Sequence, residues 1–203
     1  MEQLVRWINS RVTPFGRTIH VSQEPTRSAL ISETAFRRAA VGAPLFRHDD
    51  ASESAARDLL LLLPRGIHGE AALTNLEQLE VDLVQQNIMQ YASTFTNARY
   101  FHPAPGCGVV NAAIADIVDS KQIAEVKAVG RMFRAIDLRQ LLTYAAIFYA
   151  SGILVEDLSL YNPRKAIVFT GKIEDISLSV CGRPAFELMQ NLVDDMVGFQ
   201  VSA

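Results

Sequence analysis

An aspartate, a glutamate and a lysine near the middle of the chain have the residue types and the spacing that metal-assisted hydrolysis uses. Asp116 lies within one apolar run, and Glu125 and Lys127 lie two positions apart in the next. Alternation along a strand puts Glu125 and Lys127 on the same face. A hairpin turn at residues 119–121 would bring Asp116 opposite them. Two carboxylates and one ammonium would then converge on one patch of a sheet.

Carboxylate oxygens at that density suit Mg²⁺, which takes one or two carboxylates, keeps several waters and bridges to substrate phosphate. Lys127 could orient or deprotonate the attacking water. The alternative is structural, because a Glu-x-Lys pair such as Glu125 and Lys127 is also common on the solvated face of a strand. The triad alone leaves both interpretations open.

Three arginines follow the lysine, namely Arg131, Arg134 and Arg139. Guanidinium groups bind phosphate oxygens well, so these arginines are candidates for contacts with nucleic acid. Pairing with Asp119 or Asp137 is the structural alternative for Arg131 and Arg134.

The order of these residues resembles the PD-(D/E)xK superfamily, the restriction-endonuclease-like nucleases. Asp116 matches the lone strand acid of that pattern, and Glu125-Val126-Lys127 matches its E-x-K element. Gln140 and Tyr144, four apart on the next predicted helix, are similar to the Gln-x-x-x-Tyr element of RecB-type members. Ala115 stands where the superfamily has a proline.

The resemblance covers residues 73–198 and implies a Mg²⁺-dependent nuclease in which Mn²⁺ can substitute. The groups it implies are the carboxylates of Asp116 and Glu125 and the carbonyl of Val126 for the metal, Lys127 and Gln140 for catalysis, and Arg131, Arg134, Arg139 and Tyr144 for the nucleic acid. It also implies an α/β fold with a restriction-endonuclease-like core, in which a central mixed β-sheet is flanked by helices.

A further acid is expected from the helix that precedes the sheet. Thr74 or Asn75 can cap a helix that runs to about residue 93. Glu80 projects from its apolar stripe, where a carboxylate needs a partner, whereas Glu77 lies at the edge. Glu80 is therefore a candidate metal ligand, and a helix-surface glutamate at the core margin is the alternative.

The remaining signals divide the chain into residues 1–72, an amino-terminal elaboration of mixed elements, and residues 73–203, the nuclease-like core. The elaboration includes a short helix around Leu4 to Ile8 and a loop over residues 42–54. The core is predicted to contain strands at 114–118, 123–129, 153–160 and 166–169, helices at 137–150 and from Pro184 onward, and a turn at 162–164 whose Arg164 faces solvent or substrate.

Composition bounds the functional classes. The chain has 203 residues, a formal net charge of −3 and 49% hydrophobic residues. That balance excludes a uniformly basic nucleic-acid coat but not a local basic groove. Two distant cysteines argue against a disulfide scaffold. The amino terminus lacks a signal-peptide stretch and no apolar run reaches the length of a membrane span, so we expect a cytoplasmic protein without a membrane partner.

The sequence thus predicts a metal-dependent nuclease that hydrolyses phosphodiester bonds. The resemblance to the superfamily favours DNA over RNA as its substrate. A short nuclease of this kind is expected to act as a homo-oligomer or as a subunit of a larger complex, in restriction, repair or antiviral defence. Two alternatives stay open: a non-cutting nucleic-acid-binding or assembly subunit that keeps the fold, and a structural α/β module whose polar residues form surface ion pairs.

Overall fold

The computed structural model describes residues 2–19, 25–62 and 72–201, which form helices and one mixed β-sheet. In chain order the elements are α1 (Glu2–Asn9), β1 (Thr13–Pro14), α2 (Pro25–Ala40), α3 (Asp50–Leu61), α4 (Asn75–Ala92), β2 (Arg99–Ala104), β3 (Ala113–Val118), β4 (Gln122–Val126), α5 (Ala135–Ala150), β5 (Asp157–Asn162), β6 (Ile167–Lys172), α6 (Ile173–Cys181) and α7 (Ala185–Val201).

The sheet has six strands in the order β1-β6-β5-β4-β3-β2. β4 and β5 are parallel and are joined by α5, while the other neighbouring strands are antiparallel. One face packs against α1, α5, α6 and α7, and the other packs against α2, α3 and α4. The predicted α/β class, with a central mixed sheet flanked by helices, is confirmed.

The hairpin of β3 and β4 forms where the sequence predicts it. In its turn, Asp119 Oδ1 accepts two backbone N–H groups at 2.8 and 2.9 Å. The antiparallel pairs end with Ile117 opposite Ala124. One further step in this register puts Asp116 opposite Glu125, so the two acids lie where the paired part of the hairpin ends.

The start of α4 is also confirmed. The Thr74 hydroxyl accepts the Glu77 N–H at 3.3 Å, and Glu77 Oε2 accepts the Thr74 N–H at 2.7 Å, which forms a capping box. The carboxylate of Glu77 is held further by Arg27 of α2, at 2.7 Å. Glu77 is therefore the acid that fixes the beginning of the helix.

The prediction that Arg164 faces solvent or substrate is wrong. Its side chain is fully buried and its guanidinium donates to Glu80 Oε1. It also donates to the Ala128 carbonyl at 3.0 Å and to Ser32 Oγ at 3.2 Å. Arg164 thereby connects α4, α2 and the segment that follows β4, and α2 is the helix that covers it.

Several element boundaries differ from the prediction. β4 ends at Val126 rather than at residue 129, and β5 begins at Asp157 rather than at residue 153.

β2 was not predicted, because Pro103 and a left-handed Phe101 (φ 50°) break its alternation. α2 was not predicted either, since its buried side includes charged Arg38, which obscures the apolar stripe. α3 starts inside the predicted 42–54 loop and α6 was missed.

The amino-terminal residues are built into the same architecture. β1 is an edge strand, with Thr13 opposite Val168 of β6. Leu4 and Ile8 of α1 join the core on the α5 side, whereas α2 and α3 join the opposite core. Within the described ranges, none of the helices has the length and apolar character needed to cross a membrane.

The buried pair of Arg164 and Glu80 makes a stability prediction. We expect Arg164→Met to lower the free energy of unfolding by about 3–5 kcal/mol, because it leaves the Glu80 carboxylate buried without its counter-charge. The matched control is Lys121→Met, which breaks the exposed pair of Lys121 and Glu156 and should leave stability unchanged within error. Urea unfolding measures both, and equal midpoints for the two variants would contradict this role for the buried pair.

Candidate active site

Four of the predicted site residues form one continuous chain of hydrogen bonds. Lys127 Nζ donates to Glu125 Oε1 at 2.5 Å and to Gln140 Oε1 at 2.8 Å. Gln140 Nε2 in turn donates to the Tyr144 hydroxyl at 3.0 Å. The structure therefore brings together the E-x-K pair of the sequence and both members of the Gln-x-x-x-Tyr element.

Two neighbouring elements hold Lys127 in this position. Its backbone N–H donates to the Tyr161 carbonyl at 2.7 Å, so the ladder to β5 continues one residue past the end of β4. Gln140 lies in the second turn of α5, and Tyr144 lies one turn further on the same face. The ammonium is thus held between a strand end and a helix face, with 19% of its side chain exposed.

The fifth residue, Asp116, joins the group through the backbone. Its Oδ2 accepts the N–H of Val126 at 2.7 Å, where the antiparallel pairing of β3 and β4 has ended. Burial and the nearby charge of Glu125 raise the pKa of Asp116 well above its ordinary value. Burial also raises the pKa of Glu125, although the charge of Lys127 opposes the rise. The two acids are therefore short of positive charge, since one ammonium serves both.

The lack of positive charge around Asp116 and Glu125 raises the question of whether these two residues suit a divalent cation. Glu125 is 1% exposed and its Oε2 atom is buried with no hydrogen-bond partner among the described residues. A cation beside Asp116 and Glu125 would supply the missing positive charge and a partner for that oxygen. In the described part of the chain, no group of three or more His, Cys, Asp or Glu side chains could hold a metal ion. The donor chemistry of the two carboxylates is of the type that Mg²⁺ takes in proteins, where it binds one or two carboxylates and keeps several waters.

The structure places the expected helix acid, Glu80, in an ion pair, and a second helix acid, Glu33, acts on Asp116 through its charge. Glu80 Oε1 is bound by Arg164, and the charges acting on Asp116 are those of Glu125, Lys127 and Glu33. Glu33 lies on α2 and pairs with Arg37 at 2.8 Å, and burial raises its pKa against the charge of that arginine. Sequence reasoning missed Glu33 because it did not predict α2.

A cavity of about 320 Å³ adjoins Asp116, and we call it the α2 cavity. One wall comes from β2, β3 and the end of β4, and the other from α2, α3 and α4. Its polar lining includes Asp116, Glu33, Arg37 and Ser32. The remaining lining is apolar: Ala29, Phe36, Leu59, Leu60, Ile88, Phe101, Ile114, Val126 and Ala128.

The candidates for nucleic-acid contact have different surroundings. Arg131 donates to both oxygens of Asp137, at 2.6 and 3.0 Å, so its structural pairing is realised. Arg134 and Arg139 are exposed, and within the described ranges no carboxylate pairs with either of them. Tyr144 is 8% exposed, which makes it a support for Gln140 rather than a surface contact.

Comparisons with known proteins add no relative to this picture. The chain matches no known family, no curated protein and no solved structure. The function has to be inferred from the side chains around Asp116 and Glu125.

Proposed function

We propose that the protein is a Mg²⁺-dependent nuclease of the restriction-endonuclease-like type, which hydrolyses phosphodiester bonds in nucleic acid. One observation carries the proposal: Asp116 lies beside the hydrogen-bonded group of Glu125, Lys127 and Gln140, and the buried Oε2 of Glu125 has no partner there. A structural ion pair would need only Glu125 and Lys127. Asp116, Gln140 and the unpartnered Oε2 of Glu125 gain a role when a cation and a phosphate are bound.

In this proposal Asp116 and Glu125 hold the metal, together with the carbonyl of Val126. The bound ion, Mg²⁺ or Mn²⁺, would supply positive charge against the negative charge that develops on the phosphoryl oxygens and the leaving oxygen. Lys127 holds the attacking water through its ammonium and balances the negative charge of the pentavalent phosphate. Gln140 keeps that ammonium in place and is itself oriented by Tyr144. Water attacks phosphorus and gives up a proton to solvent, the bond between phosphorus and the leaving oxygen breaks, and that oxygen takes up a proton from solvent.

Substrate contacts follow from the exposed cations next to this group. Arg134 and Arg139 lie at the start of α5, within two turns of Gln140, and can contact phosphates of the bound strand. A formal net charge of −3 means that such contacts are local. DNA is the favoured substrate on the strength of the resemblance to nucleases. Action as a homo-oligomer or a complex subunit, in restriction, repair or antiviral defence in the cytoplasm, belongs to the same proposal.

The direct test is incubation of the protein with plasmid, linear duplex and single-stranded DNA and with RNA, in Mg²⁺, Mn²⁺ or EDTA. Cleavage that requires the metal supports the proposal. Binding without cleavage of any substrate would favour the alternative of a non-cutting subunit that keeps the fold.

Replacing one buried acid should stabilise the metal-free protein. The pKa of Asp116 is raised in the folded protein, so its ionisation lowers the free energy of unfolding at high pH. This loss of stability disappears as pH falls toward the ordinary pKa of 3.8. We expect Asp116→Asn to raise the Tm in EDTA at pH 8 by at least about 2 °C. The gain should vanish near pH 4, and calorimetric Mn²⁺ binding should be lost. A lower Tm at pH 8, or unchanged Mn²⁺ binding, would refute the two-carboxylate site.

Lys127 separates cutting from metal binding. Lys127→Met keeps the apolar bulk of the side chain and both carboxylates, so Mn²⁺ binding should persist. Because it removes the counter-charge of Glu125, it should also lower the Tm of the metal-free protein, so the assay is run with metal at a temperature at which the variant is folded. Cleavage should fall by on the order of 10²-fold or more, because the water loses its cation. The matched control is Lys121→Met, an exposed lysine on the same hairpin, which should cut at the wild-type rate. A paired gel assay of binding and cleavage of one labelled DNA decides, and full cleavage by Lys127→Met would make this lysine a mere ion-pair partner.

Gln140 is expected to act through Lys127. Gln140→Ala removes the oxygen that fixes the ammonium at 2.8 Å but none of the metal-binding groups. Cleavage should therefore drop by about 10-fold or more, while Mn²⁺ affinity stays unchanged. Thr143→Ala on the same helix is the control and should leave both quantities alone. Cleavage by Gln140→Ala at the wild-type rate would contradict this positioning role.

A further inference from the structure

The α2 cavity has a lining that suits a flat aromatic ligand. Apolar side chains dominate it, with Phe36, Phe101, Leu60, Ile88 and Ile114 among them. Phe36 and Phe101 meet edge to face, with ring centroids 4.9 Å apart and planes at 87°. Aromatic side chains are the surfaces on which unpaired bases stack.

Phe101 is placed in this wall at a conformational cost. Its φ of 50° is left-handed, a region that non-glycine residues seldom adopt. Tyr100 and Phe101 are neighbours in β2, yet both pack on the α2 side of the sheet. Regular alternation would have sent one of them to the other face. Strain of this kind clusters at functional sites, and here it presents an aromatic ring beside Asp116.

Arg37 is the cation that lines the cavity, beside the carboxylates of Glu33 and Asp116. The Arg37 guanidinium lies over the Phe101 ring, 5.4 Å from its centroid, and its Nε donates to Glu33. A guanidinium has five donors and binds phosphate in a bidentate manner. Asp116 lines the same cavity, so a phosphate bound at the catalytic group would have its base within reach of the aromatic wall.

The volume limits what can enter. About 320 Å³ is at the lower end of the range for small-molecule sites. One base with its sugar fits such a space, whereas a base that is paired and stacked inside a duplex cannot enter unless it is flipped out. Flipping a base out of a duplex costs the free energy of unpairing and unstacking, which is least for a base that is already in a single strand.

We propose that the α2 cavity binds one unpaired nucleobase next to the cleaved phosphate, so that single-stranded nucleic acid or a frayed duplex end is the preferred substrate. This inference rests on the proposed nuclease function and adds the substrate class. Phe101 supplies the stacking surface, and Arg37 binds the phosphate of the inserted nucleotide.

The test measures binding apart from cleavage, with Ca²⁺ in place of Mg²⁺. Fluorescence anisotropy compares a labelled single-stranded DNA oligonucleotide with the same sequence as a duplex. The wild type should bind the single strand about 10-fold more tightly than the duplex, which is the effect expected from stacking one additional base on the protein. Ala29→Leu fills the cavity and should remove that preference, whereas Ala40→Leu, half-buried on the same helix but outside the cavity, should keep it.

A second variant guards against misfolding of the first. Ile114 is 55% exposed, so Ile114→Glu puts a negative charge at the cavity without disturbing a core, and it should also abolish the single-strand preference. Ile153→Glu is its control, since Ile153 is exposed and lies outside the cavity.

The outcomes separate the two proposals. Equal affinity for single strand and duplex, no binding of either, or cavity variants indistinguishable from their controls would overturn the base-binding role, even if metal-dependent cleavage is present. A single-strand preference that disappears in Ala29→Leu and Ile114→Glu would support it, even if no substrate is cut.

Discussion

The candidate site depends on one electrostatic constraint. Two carboxyl groups lie close together and largely out of water, and a single ammonium lies between them and the solvent. Hairpin register puts Asp116 opposite Glu125, and burial raises the pKa of both acids. Such a pair opposes folding in the absence of further positive charge. The neighbouring elements make the pair tolerable: the Val126 N–H serves Asp116, and Lys127 serves Glu125.

Positioning of the lysine is distributed over elements that are remote in the sequence. Gln140 of α5 and the carbonyl of Tyr161 in β5 hold its side chain and its backbone, respectively. Arg131 and Asp137 fix the start of α5, because Asp137 also accepts the Arg134 N–H at 2.8 Å. The helix that carries Gln140 is thereby anchored by the pair of Arg131 and Asp137, which the sequence analysis named as the structural alternative to a phosphate contact.

Local rules predicted the part of the site that is local in the chain. Alternation, turn chemistry and the four-residue helical spacing are short-range effects, and they were enough to group Glu125 with Lys127 and Gln140 with Tyr144. Glu33 and Arg164 were beyond their reach. Arg164 follows a strand, and its type suggested exposure, but inside the protein Glu80 supplies its counter-charge and Ser32 accepts a hydrogen bond from it. Only tertiary packing of α2, with its buried charges, determines where these two residues lie.

The long-range origin of the groups around Lys127 has a consequence for synthesis. The backbone of Lys127 is held by the Tyr161 carbonyl, and the segment after β4 is tied to α2 and α4 by the Arg164 side chain. Both residues come about 35 positions later in the chain than Lys127 itself. A ribosome-bound chain that has released the hairpin but not β5 has the acids and the lysine without the scaffold that orients them. The geometry around Lys127 can therefore form only after these later residues have been synthesised.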